Sequence, residues 1–160
     1  MKNLFIRTIG ALAFTTAAGY ADTTYIDILA KDCNSGDADK CMNLAMIYHF
    51  GNGVEPDTTK AIMYVGKACD GGNAQGCYIL AEAYATGDGV DRDFAKAFKF
   101  ASKSCDGGNA QGCYTLGAIY TRGDGVQQDN TKAKVFFSQS CNLNLEEGCK
   151  AYSTLNQGGQ

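Results

Sequence analysis

The chain has 160 residues, a net charge of −3 and a pI near 5.0. That balance offers no basic patch for a nucleic acid or an anionic lipid surface, and one histidine, His49, is too few for a histidine-based zinc centre. Twenty glycines and eight cysteines remain, and both recur at a fixed interval.

Residues 1–21 read as a signal peptide. Lys2 and Arg7 form a positive start, Ile9 to Ala18 are mostly apolar or small, and Gly19-Tyr20-Ala21 puts small residues at −3 and −1 of a cleavage site. Position 22 is Asp22, so a lipidated cysteine is not indicated, and no later apolar run approaches membrane length. The expected product is an exported protein, periplasmic or secreted.

Residues 22–160 then read as helices in a regular order. A leading helix over 25–34 carries Ile26, Ile28 and Leu29. Three helical units follow, over 37–72, 73–108 and 109–144. The first helix of each carries Cys41, Leu44, Ala45 and Tyr48, then Cys77, Leu80, Ala81 and Tyr84, then Cys113, Leu116, Gly117 and Tyr120. Offsets of three, four and seven place each set on one helix face. Each first helix stops at a glycine-rich run, Gly51-Asn52-Gly53-Val54 and its copies at 87–90 and 123–126. Asp57, Asp93 and Asp129 then suit the N-cap of a second helix, which continues through Lys60-Ala61, Lys96-Ala97 or Lys132-Ala133 and the apolar Val65, Phe100 and Phe137. A closing helix over 145–156 precedes a polar tail. No strand pattern occurs, and the expectation is an all-α repeat of antiparallel helices.

The cysteines fall in four pairs, 33/41, 69/77, 105/113 and 141/149, each repeating at 36 residues. A fixed period of that length marks a solenoid. Residues eight apart on one helix are separated by about 12 Å, whereas a disulfide holds its Cα atoms within about 7 Å. The chain therefore turns inside each pair if the pairs are bonded. Gly71-Gly72 and Asn73, repeated as Gly107-Gly108 and Asn109, supply a left-handed helix end and an N-cap for that turn. Parity and export favour structural disulfides Cys33–Cys41, Cys69–Cys77, Cys105–Cys113 and Cys141–Cys149. Free buried thiols are the alternative, and zinc is disfavoured because no Cys-x-x-Cys spacing occurs.

The run Ala-x-x-x-Leu-Gly-x-x-Tyr-x-x-Gly-x-Gly-Val, followed by Asp-x-x-Lys-Ala and Cys-x-x-Gly, resembles the Sel-like repeat, an αα solenoid related to tetratricopeptide repeats. Gly112 to Val126 match it best. The paired cysteines resemble a narrower branch, the secreted cysteine-rich proteins known from Helicobacter and its relatives. The resemblance implies a right-handed superhelix of disulfide-linked hairpins and an exported location. It also implies two activities, since members of the branch are labelled penicillin-binding proteins or β-lactamases, and some are regarded as host-interacting antigens.

The residues give little support to catalysis. A serine β-lactamase needs Ser-x-x-Lys, but Ser102 is followed directly by Lys103 and no serine has a lysine three residues on. His49 lacks partner groups, and Asp88, Asp91 and Asp93 lack the closing glutamate of a calcium loop. No cofactor or metal is expected, and a monomer is. A binding surface is easier to find. If the first helices line the inner face of the solenoid, their outward side chains include Met42, Met46, Phe50, Tyr78, Glu82, Tyr114 and Arg122. An apolar path with polar edges suits an extended protein or peptide ligand, from the cell envelope or a host. The alternative, that these side chains pack on adjacent helices, stands beside it.

Overall fold

A computed structural model describes residues 23–157. The leader expected over 1–21 lies outside the described residues. Eight helices follow one another: α1 Thr23–Asn34, α2 Ala38–Phe50, α3 Thr58–Asp70, α4 Ala74–Thr86, α5 Phe94–Asp106, α6 Ala110–Arg122, α7 Asn130–Asn142 and α8 Glu146–Gln157. No strand occurs among the described residues. Three hairpins, α2–α3, α4–α5 and α6–α7, stack in order, with α1 and α8 at the two ends.

Two kinds of turn alternate, and each is written in local chemistry. The tight turns between α1 and α2, α3 and α4, and α5 and α6 place Gly36, Gly72 and Gly108 at φ of 104°, 92° and 82°, where a Cβ would be strained. The fourth turn has Asn144 at φ 67°, and asparagine is the side chain that best tolerates this region. Asp37, Asn73 and Asn109 then cap α2, α4 and α6 through their side-chain oxygens.

These turns bring the cysteines together. The model bonds Cys33–Cys41, Cys69–Cys77, Cys105–Cys113 and Cys141–Cys149, with Cα separations of 4.5–4.7 Å. Cys69–Cys77 and Cys105–Cys113 join the second helix of one hairpin to the first helix of the next, Cys33–Cys41 joins α1 to the first hairpin, and Cys141–Cys149 joins the third hairpin to α8.

The longer loops within hairpins close on a repeated clasp. The backbone N–H groups of Asp57, Asp93 and Asp129 donate to the carbonyls of Tyr48, Tyr84 and Tyr120 at 2.8–2.9 Å. Each aspartate accepts from the backbone N–H of the lysine three residues on, and that lysine's ammonium lies 4.9–5.2 Å from the centre of the same tyrosine ring. Each tyrosine also stacks on an aromatic of the second helix: Tyr48 on Tyr64, Tyr84 on Phe100 and Tyr120 on Phe136, all at 5.6 Å.

This corrects the register expected for the second helices. Phe100 belongs with Tyr64 and Phe136 in the stacked row, while the buried row is Val65, Ala101 and Phe137. Two apolar rows lie side by side on these helices, and spacing alone does not separate them. Across the hairpin the buried row meets Ala45, Ala81 and Gly117, which together with Leu44, Leu80 and Leu116 form the core.

The two ends differ. On α8, Ser153 and Asn156 stand where the third unit has Gly117 and Tyr120, so the face that would receive a further helix is polar. On α1, Tyr25 and Ile28 occupy the places of Ala61 and Tyr64 and are 51% and 53% exposed.

Candidate functional site

With leucine, alanine and the disulfides turned inward, α2, α4 and α6 present their other face to a groove in two connected parts. The first part has a cavity volume of about 550 Å³ and the second about 610 Å³, and they share Tyr78, Glu82 and Thr86. Met42, Met46 and Phe50 line the first part. Tyr114 and Arg122 line the second. All seven side chains singled out from the sequence as outward-facing therefore border one continuous surface. Met46 and Phe50 are exposed, at 47% and 60%, and Met42, Tyr78, Glu82 and Tyr114 are half-buried.

The chemistry changes along the surface. At α2 the wall is thioether and phenyl, and His49 meets Phe50 edge to face at 4.7 Å. At α4, Glu82 accepts a hydrogen bond from the Thr115 hydroxyl at 3.1 Å. Burial first, and then the Glu82 charge, push the Tyr78 phenol above its ordinary 10.0. At α6, Tyr114 packs against Phe137 with ring centres 5.4 Å apart, and Arg122 pairs with Asp124.

Other outward positions are already committed. Asn73 donates to Asp39 at 3.0 Å and Asn109 donates to Gln75 at 2.8 Å, a polar ladder between successive units. Among the three aspartates weighed as a calcium loop, Asp93 is the N-cap of α5 and pairs with Lys96, while Asp88 and Asp91 are exposed. Among the described residues no cluster of three or more His, Cys, Asp or Glu side chains could hold a metal ion.

Several groove residues escaped the sequence reading. Thr58 and Ile62 of α3, Asp88 of a loop, and Leu145 and Glu147 at the start of α8 also line it. Ile62 carried a usable signal, since it lies one residue after the buried Ala61 and so off the core row. Glu147 carried none, because its approach depends on how α8 stacks on α6.

The comparisons agree with this architecture. The Sel1 repeat family model matches residues 41–73, 74–109 and 110–145. A crystal structure of a Sel1 repeat protein from Oxalobacter formigenes is 27% identical, with a TM-score of 0.76 over 81% of this chain and 98% of that one. Helicobacter pylori cysteine rich protein B is 28% identical, with a TM-score of 0.62 over 80% of this chain and 92% of that one. The protective antigen c5321 of uropathogenic Escherichia coli strains, described as displaying an SLR fold, is 28% identical at a TM-score of 0.71 over 77% of this chain but only 26% of its own. No curated protein sequence matches. Sel1 repeats are protein-interaction modules, and among the described residues no helix is long and apolar enough to cross a membrane. With three tandem matches covering most of its length, the chain belongs to the Sel1 repeat family.

Proposed function

We propose that this protein is an exported, monomeric, disulfide-rich scaffold that binds an extended protein or peptide segment in the groove over α2, α4 and α6. The observation that carries the reading is the continuous surface from Met42, Met46 and Phe50 through Tyr78 and Glu82 to Tyr114, apolar at α2 and polar from the junction of its two parts onward. Export is supported by the pairing of every cysteine of the chain in a disulfide, a state that persists in oxidising compartments. The cysteine-rich Helicobacter neighbour supports it too.

The test is selection of displayed random peptides on the oxidised protein, followed by groove substitutions. Phe50→Ala and Tyr114→Ala should each weaken a selected peptide by about tenfold, the usual size for loss of an aromatic anchor. A peptide indifferent to both would remove the groove from the account. The alternative, β-lactam hydrolysis, is tested with a chromogenic cephalosporin. Turnover that survives a second column and vanishes in Tyr78→Phe would replace the scaffold with an enzyme.

A further inference from the structure

The groove separates charge. Glu82, Asp88 and Glu147 line it, and none of them takes part in a described ion pair. Among the described residues no lysine lines either part. The described lysine ion pairs all lie elsewhere, on the second helices, their caps and the exposed side of α8. Arg122, the one guanidinium at the groove among the described residues, is engaged by Asp124. His49 is the remaining basic side chain in the wall.

Glu82 has the most telling position. It is half-buried where the two parts of the groove meet, and its one described hydrogen bond, from Thr115, uses Oε1. A carboxylate accepts at both oxygens. A half-buried acid with an open oxygen, in a wall shared with Tyr78 and Tyr114, complements a cation delivered from outside.

We infer that the groove's ligand is a cationic, partly apolar peptide, with a lysine or arginine at Glu82 and an apolar side chain against Met42, Met46 and Phe50. Three helices packed about 10 Å apart span about 20 Å, which an extended chain crosses in about six residues. The apolar contacts supply affinity. The unpaired carboxylates select the sign of charge and speed the encounter. This inference rests on the groove being a peptide site, and the experiment below separates its failure from the failure of that reading.

The probes are three labelled peptides of about six residues, with leucines at alternate positions and lysine, glutamine or glutamate between them, read by fluorescence anisotropy on the disulfide-intact chain. The lysine peptide should bind tightest and the glutamate peptide weakest, and the difference should shrink as salt shortens the screening length. Glu82→Gln keeps an acceptor for Thr115 and should weaken the lysine peptide by about fivefold, and the glutamine peptide by less. Glu147→Gln, at an exposed site on α8, is the second variant should Glu82→Gln misfold, and should act in the same direction. Equal binding of the lysine and glutamine peptides would overturn the charge selection and leave the peptide groove standing. Binding of none, or self-association of the chain across this face in sedimentation, would overturn both.

Discussion

Gly117→Ala is the sharpest test of how the third hairpin is packed. In an unconstrained helix this substitution stabilises by about 1 kcal/mol, because alanine has less backbone freedom to lose. Here the new methyl would stand 2.6 Å from two ring carbons of Phe137, where carbon atoms ordinarily meet at about 3.5–4.0 Å. The ring must retreat by about 1 Å, and Tyr114, already packed against it at 5.4 Å between centres, restricts the retreat. Overpacking of this kind costs about 1–3 kcal/mol. The net expectation is a loss of about 1 kcal/mol. In a Phe137→Val background the pair becomes the Ala45–Val65 combination of the first hairpin. There the same substitution should stabilise by about 1 kcal/mol. The two changes should therefore couple by about 2 kcal/mol, a size expected only of residues in contact. Urea unfolding of the four proteins with disulfides intact measures this from midpoints at a common slope. A gain of equal size in both backgrounds would show that Phe137 does not press on Gly117, and the packing account would be wrong.

The helix caps make a pH prediction. Asp57, Asp93 and Asp129 are held below their ordinary 3.8, chiefly by the backbone N–H groups of Lys60, Lys96 and Lys132. Their contribution to stability is therefore present above 3.8 and is lost as the pH falls through the lower folded values. The triple Asp→Asn variant should show a shallower loss of thermal midpoint on acidification from pH about 5 to about 2, and an unchanged slope would exclude these caps as its source. Accessibility makes another prediction. Cys141 and Cys149 are half-buried while the other six cysteines are at most 3% exposed, so limited reduction followed by alkylation and mass mapping should label the 141/149 pair first. Early labelling of 69/77 would contradict the burial order.

Much of the architecture was legible because it is written in local chemistry. The turns inside the 69/77 and 105/113 pairs follow from glycine beside an N-cap asparagine: Gly72 and Gly108 lie in the left-handed region and Asn73 and Asn109 cap the next helix. Less legible was anything depending on two helices at once. Phe100 and Ala101 are adjacent in sequence, and only the approach of Tyr84 decides that Phe100 stacks while Ala101 is buried. Gly117 looked like one more small residue at the position of Ala45 and Ala81. Its reason is Phe137, which fills the volume that Val65 and Ala101 leave smaller in the other hairpins. For the groove, the first-helix side chains could be placed from helical spacing. The contributions of Asp88 and Glu147 could not, because they depend on the loops and on how α8 stacks on α6.

Three copies of one unit in a single chain allow the surface to be separated from the scaffold. Tyr48, Tyr84 and Tyr120 are the same residue because each ring meets both a lysine ammonium and a stacked aromatic of the second helix. Asp57, Asp93 and Asp129 are the same because each closes the loop and caps a helix. At the core, the change to Gly117 is matched by the larger Phe137 it faces. Groove positions at the same spacing change in chemical character: Met42, Tyr78 and Tyr114; Met46, Glu82 and Ala118; Phe50, Thr86 and Arg122. Packing demands alone would not turn a methionine into a glutamate and then an alanine at equivalent places on three similar helices. The outcome is a surface that is apolar at α2, acidic at α4 and mixed at α6. A uniform groove would accept an extended chain in either direction. A graded one would distinguish the two directions of the proposed peptide, because reversing it moves its apolar end away from Met42, Met46 and Phe50.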